Sequence, residues 1–182
     1  MKRLFIPLLL AFCLLLSACG ANVVEERYKS FSQSLSARED LDFSARLRAE
    51  YEDRTVDFTL RYSMNASGCT ISVLEPERIA GIKAHLAPGS SRLEYDGLII
   101  DTGDLDPYGL SPMSALPTLL EAMKNGHLES YWEEGDYTVL QLILDDHLYA
   151  NVSFLLESMT PVCAELVSDG RVTVFCRLED WK

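Results

Sequence analysis

The chemistry available to this 182-residue chain rests on a few carboxylates, three histidines and its cysteines. Leu98-Ile99-Ile100-Asp101-Thr102-Gly103 carries an Asp-Thr-Gly step at the end of an apolar run. Acid–base catalysis from such a step needs two carboxylates sharing one proton, hence a second copy of the motif or a homodimer. The following residue is Asp104 rather than a small one, and a strand ending in a turn accounts for the stretch. Asp101, Asp104 and Asp106 could approach a calcium ion, but the glycine and distal glutamate of a calcium loop are missing from the spacing. His85, His127 and His147 each lack a partner at metal-ligand spacing, and Asp145-Asp146-His147 fits a solvated turn between strands. There is no Gly-x-Ser-x-Gly, phosphate loop or dinucleotide fingerprint in the sequence. These patterns predict no catalytic residue, no metal and no cofactor.

The cysteines carry more information. Lys2 and Arg3 precede an apolar run from Leu4 to Leu16, followed by Leu16-Ser17-Ala18-Cys19 with small residues at a cleavage point. The run is too short to cross a bilayer as a permanent helix. A plain secretory signal fits residues 1–18, but the step into Cys19 also resembles the bacterial lipobox, in which the thiol is diacylated and becomes the new N-terminus. The expectation is therefore a lipoprotein signal peptide at 1–18 and lipidation of Cys19, with acyl chains holding one soluble domain, 19–182, at the outer face of the cell membrane. At the other end, a hairpin centred on Asp169-Gly170 sets Ser168 against Arg171, and counting outward places Cys163 opposite Cys176. That is a non-hydrogen-bonded position, where closely spaced Cα atoms accept a disulfide. The alternative is two buried thiols, with Cys69 unpaired in either case.

Removing Lys2 and Arg3 leaves 14 basic against 28 acidic side chains, a net charge of −14. Nucleic acid and anionic headgroups would be repelled, so neither is an expected partner. The charge selects no partner by itself.

The elements that must position these residues follow from periodicity. Val24, Tyr28, Phe31 and Leu35 recur at helical spacing after Asn22, a capping residue. The period then drops to two: Leu41, Phe43, Ala45, Leu47, Ala49 and Tyr51 alternate with polar residues, and Val56, Phe58, Leu60, Tyr62 and Met64 repeat the pattern after a turn. Cys69, Ile71 and Val73 follow Gly68, and Ile79, Ile82, Ala84 and Leu86 form another apolar pattern. Asp96-Gly97 sets Tyr95 against Leu98 and Leu93 against Ile100 in a two-residue hairpin, and Gly135-Asp136 sets Trp132 against Val139. One helix interrupts the strands. Ser111 caps it, Pro112 takes its first position, Leu116, Leu119, Leu120 and Met123 make its apolar face, and Gly126 ends it, with Pro117 expected to split or restart it.

Taken together, the lipobox, the N-terminal amphipathic helix, the paired long strands, the runs Val73-Leu74-Glu75-Pro76-Glu77-Arg78-Ile79-Ala80-Gly81 and Leu93-Glu94-Tyr95-Asp96-Gly97, the helix near Leu116-Pro117 and the closing Pro161-x-x-Ala164-Glu165 hairpin resemble the lipoprotein-localisation (LolA/LolB-like) superfamily. The resemblance implies a mainly antiparallel β fold of the α+β class. It would be an incomplete barrel of about eleven strands wrapped around the N-terminal helix, with the inserted helix as a lid. It further implies a lipid or acyl chain as ligand, held by Phe43, Leu47, Phe58, Leu60, Tyr62, Ile71, Val73, Leu93, Tyr95 and Ile100 on the sheet and Leu116, Leu119, Leu120 and Met123 on the lid. The same residues would equally form an ordinary filled core. In that case the half-barrel would be a scaffold for an envelope protein partner. A soluble carrier must be released from the membrane, whereas an acylated Cys19 would keep this domain in place.

Overall fold

Alternating apolar residues make long strands here because each must bury one face, and eleven of them assemble side by side. The computed structural model describes residues 19–51, 53–87, 90–103 and 111–182. The expected signal peptide, 1–18, lies outside the described residues, as do Asp104, Asp106 and the side chain of Cys19. Helix α1 (Cys19–Ser36) is followed by β1 (Leu41–Glu50), β2 (Thr55–Asn65), β3 (Gly68–Glu75), a short 3₁₀ turn (Glu77–Ile79), β4 (Lys83–Ala87), β5 (Ser90–Tyr95) and β6 (Leu98–Asp101). Helix α2 (Pro112–Asn125) then leads to β7 (His127–Glu134), β8 (Tyr137–Ile143), β9 (Leu148–Leu155), β10 (Thr160–Ser168) and β11 (Arg171–Glu179).

The strands form one antiparallel sheet in the order β6-β5-β4-β3-β2-β1-β11-β10-β9-β8-β7. Each half is a meander, and the pairing of β1 with β11 joins them. Consequently β6 and β7, the neighbours of α2 in sequence, end as the two open edges. The chain between them carries α2, which packs on α1, β8, β9 and β10. One face of the sheet and both helices share a single apolar cluster that includes Phe43, Leu60, Ile71, Leu116, Met123, Leu140 and Phe154.

Local chemistry explains several boundaries. Ser111 caps α2: its hydroxyl accepts the Ser114 N–H at 3.1 Å, while the Ser111 N–H donates to the Ser114 hydroxyl at 3.3 Å. Pro117 does not split the helix, which runs unbroken to Asn125. Loss of one backbone donor and the steric clash cost about 3 kcal/mol, and burial of Leu116, Leu119 and Leu120 offsets this at about 1.5–3 kcal/mol each. Asn22 is not the cap of α1, which begins at Cys19. Ile79 and Ile82 precede β4 instead of belonging to it, Ile79 sitting in the 3₁₀ turn. The Asp96-Gly97 and Gly135-Asp136 hairpins have the expected registers, with Tyr95 facing Leu98 and Trp132 facing Val139.

The last hairpin departs from expectation. Ser168 faces Arg171 and Val167 faces Val172, but Leu166 faces Val174, so Thr173 is an extra residue on β11. A bulge of this kind shifts all later pairs by one. Cys163 therefore faces Arg177, and Cys176 faces Ala164. Because side chains alternate faces, Cys176 turns into the core beside Leu47 while Cys163 turns outward. Of the two alternatives the sequence left open, the Cys163–Cys176 disulfide is not formed, and Cys69, Cys163 and Cys176 are free cysteines.

Candidate functional site

The concave side of the sheet and the underside of α2 form the candidate site. Phe43, Leu47, Leu60, Tyr62, Ile71 and Val73 on the sheet, and Leu116, Leu119, Leu120 and Met123 on α2, are all buried in one cluster. Phe58 and Leu93 are partly buried at its margin. Tyr95 and Ile100, also expected to line it, are instead 50% and 62% exposed. Their hairpin pairs as expected, but α2 leans on β8–β10, the opposite half of the sheet from β5 and β6. Stacked Phe43 and Tyr62 rings, 5.0 Å apart, and Trp181 at 4.9 Å from Phe43 floor one end of the face.

Burial sets the electrostatics of this face. The Tyr28 hydroxyl, on α1, is pushed up to about 12 by desolvation, and the Cys176 thiol also rises to about 12 by burial. Burial raises Tyr62 and Cys69 as well. All four groups stay neutral at physiological pH, so the concave side presents no charge from them to a guest.

What latches α2 is polar and sits at one end. The last carbonyls of any helix lack intrahelical donors. Here Tyr28 donates its hydroxyl to the Gly126 carbonyl at 2.8 Å, and Ser32 donates to the Lys124 carbonyl at 2.7 Å. The helical spacing had placed Tyr28 on an apolar face, but only the docked pair of helices reveals what its hydroxyl does.

A hydroxyl–imidazole–carboxylate chain lies on the outer face. Thr70 Oγ1 is 3.1 Å from His85 Nδ1, and His85 Nε2 is 2.7 Å from Glu94 Oε2. His85 has no sequence neighbour of this kind because its partners come from β3 and β5. The hydrogen bond from His85 and the nearby Lys83 ammonium hold the Glu94 carboxyl below its usual range. The geometry of a nucleophile, base and orienting acid is present, but Thr70 sits on a strand paired on both sides. Its neighbouring amides are spent in the sheet, and an acyl-transfer site needs free donors for the oxyanion. Among the described residues, no three His, Cys, Asp or Glu side chains converge as metal ligands.

The outer face also carries two clefts. One, of about 330 Å³, is lined by Arg46, Arg48, Asp57, Glu75, Phe175 and Arg177 among others. The second, of about 380 Å³, shares Phe175 and adds Trp132, Tyr137, Asn151 and Glu165. Leu47 and Phe58 of the expected set border the first cleft and Cys163 borders the second, whereas the other lining residues were not among the expected site residues. The signal available in the sequence was an aromatic residue at the outward positions of three separate strands.

Solved structures share this architecture. An uncharacterized conserved protein from Thermus thermophilus superposes with a TM-score of 0.53 at 9% identity, covering 87% of this chain and 85% of that one. A LolA superfamily protein from Nitrosomonas europaea gives 0.49 at 11% identity over 87% and 92% of the two chains. A chain in the structure of the CwlD amidase from Clostridioides difficile in complex with the GerS lipoprotein gives 0.47 at 12% identity over 87% and 94%. No family model matches the sequence, and no curated protein does. The likeness is one of fold: the chain is an open antiparallel half-barrel with an N-terminal helix and an inserted helix, as in the Thermus thermophilus protein. No described helix is long and apolar enough to cross a membrane.

Proposed function

We propose that this chain is a non-catalytic extracytoplasmic lipoprotein, tethered by acylation of Cys19, that holds a lipid acyl chain against the concave face of its half-barrel when α2 moves aside. The carrying observation is the character of the α2 contact. Leu116, Leu119, Leu120 and Met123 meet an apolar sheet face, while two hydroxyl bonds from α1 secure the C-terminal end of the helix. Apolar contact is non-directional and worth about 0.8 kcal/mol per buried CH₂. An acyl chain can therefore replace the helix methylene for methylene, at the cost of two polar bonds. Protein purified without detergent and examined by native mass spectrometry is expected to carry a co-purifying lipid. A fluorescent fatty acid should enter saturably, and faster in the Tyr28→Phe/Ser32→Ala double variant. The reading fails if neither lipid nor saturable uptake is seen, even in the double variant.

A second reading has its own support. β6 is an edge strand on which Leu98, Ile99 and Ile100 are all exposed, whereas the opposite edge, β7, carries Glu129, Glu133 and Glu134. An apolar edge, unpaired among the described residues, invites an added strand from another protein. In-cell crosslinking would then capture one envelope protein, and Ile99→Lys would abolish that capture. Capture that survives this substitution excludes the edge.

A further inference from the structure

The second outer-face cleft has a chemistry that neither reading above uses. Strand pairing sets Trp132 beside Val139, Val139 beside Ser153 and Ser153 beside Cys163 in one row across β7–β10. The adjacent row runs from Asn151 through Glu165 to Phe175. Trp132, Tyr137 and Phe175 are large aromatic residues that nonetheless keep 38–40% of their surface exposed. Val139 between them is buried although it points to the outer face. The rings thus wall a concavity of about 380 Å³ whose remaining lining includes the carboxylates of Glu134 and Glu165. This volume falls within the range of small-ligand sites, about 300–1,000 Å³.

Glu165 is held in place. Asn151 donates its side-chain N–H to Glu165 Oε2 at 3.3 Å, and this amide has its oxygen buried without a partner. That orientation keeps the amide oxygen away from the carboxylate and leaves the other Glu165 oxygen for a guest. Among the described residues, neither Glu134 nor Glu165 makes a salt bridge. Arg48, opposite Phe175, is engaged by Asp57 at 2.9 Å, and Arg177, opposite Cys163, lines the neighbouring cleft.

Electron-rich ring faces together with a held carboxylate attract a positive charge, because the ring quadrupole and the anion act in the same direction. We propose that this cleft binds an organic ammonium group, with Glu165 as its counter-ion, the ring of its cross-strand neighbour Phe175 beside it, and Trp132 and Tyr137 lining the rest of the cleft. The group could come from a zwitterionic lipid headgroup or from a soluble amine, including one borne on a peptide. The site is on the outer face, so it does not depend on whether α2 opens.

Trp132 itself reports occupancy. In a Trp181→Phe background it is the remaining tryptophan, and its emission can be titrated with choline and with the uncharged isostere of choline in which carbon replaces nitrogen. Saturable quenching by choline alone is expected. The apparent Kd should rise at least about tenfold in Glu165→Gln, which preserves size and the hydrogen bond to Asn151, and similarly in Phe175→Leu. Unchanged thermal unfolding of both variants separates a lost site from a lost fold. Phosphatidylcholine vesicles that shift the protein in a flotation assay, with the same dependence on Glu165, assign the headgroup as the source. Binding of choline without binding of vesicles assigns a soluble or peptide-borne amine. An equal response to the uncharged isostere, or binding unaffected by Glu165→Gln, overturns the proposal.

Discussion

A single buried hydroxyl or thiol in this chain behaves according to which face of the sheet or helix receives it. Cys176 is inside and its thiol is raised to about 12, whereas Cys163 lies on the outer face. In native protein at pH 8, iodoacetamide should modify Cys163 well before Cys176, since the thiolate is the reactive form. Peptide mapping of mildly oxidised protein should recover no Cys163–Cys176 bridge. Tyr28 offers a test in alkali. Its folded-state value, about 12, lies above the ordinary 10.0, so the stability it supports is complete below pH 10 and declines as pH rises toward 12. Tyr28→Phe should remove part of that decline while costing about 0.5–1.5 kcal/mol at neutral pH through the lost bond to Gly126. Chemical denaturation at pH 7 and pH 11 measures both. Glu94 acts with the opposite sign: its lowered value places its contribution above the ordinary 4.5, to be lost as pH falls.

At the scale of elements, short-range signals were legible and long-range ones were not. Ser111-Pro112, Asp96-Gly97 and Gly135-Asp136 each act within a few residues, and the helix start and both hairpin registers follow from them. The bulge at Thr173 could not be read, because alternation looks the same on either side of an inserted residue. Pro117 misled for a related reason: local propensity argued against it, and the buried leucines that outweigh it meet partners distant in sequence. Gly68 is a case in which geometry leaves no choice. It has φ 133°, and an added Cβ would lie within 2.4 Å of the Leu86 carbonyl oxygen on β4. Gly68→Ala should therefore destabilise by at least about 1–3 kcal/mol, lowering the melting temperature by several degrees. Leu116→Ala, which empties the centre of the α2 contact, should cost about 2–5 kcal/mol by denaturant titration.

For the whole molecule, topology makes the functional question specific. A sheet closed on itself would have no edges and no gap for a helix. This one stops at β6 and β7, and the connection between those edges supplies α2. One insertion thus seats a helix on the β8–β10 half of the sheet, between two strands that end the strand order. Tethering belongs to this scale too: Cys19→Ser is expected to move the protein from the membrane fraction to the soluble extracytoplasmic fraction and to abolish incorporation of radiolabelled palmitate. Retention of both in the variant would refute acylation at this residue.

The sequence by itself determined the strand-rich pattern, the capped helix between strands, the turn chemistry and the apolar set at Phe43, Leu60, Tyr62 and Leu116, since each is carried by residues near one another in the chain. Only the tertiary structure decided that this set closes into one core with both helices, that Tyr95 and Ile100 stay outside it, that Cys163 and Cys176 part to opposite faces, and that Trp132, Tyr137, Phe175 and Glu165 share a cleft. Those outcomes depend on sheet order, one bulge and the seat of a helix. Each joins residues far apart in the chain, and their periodicity carries no record of the partner.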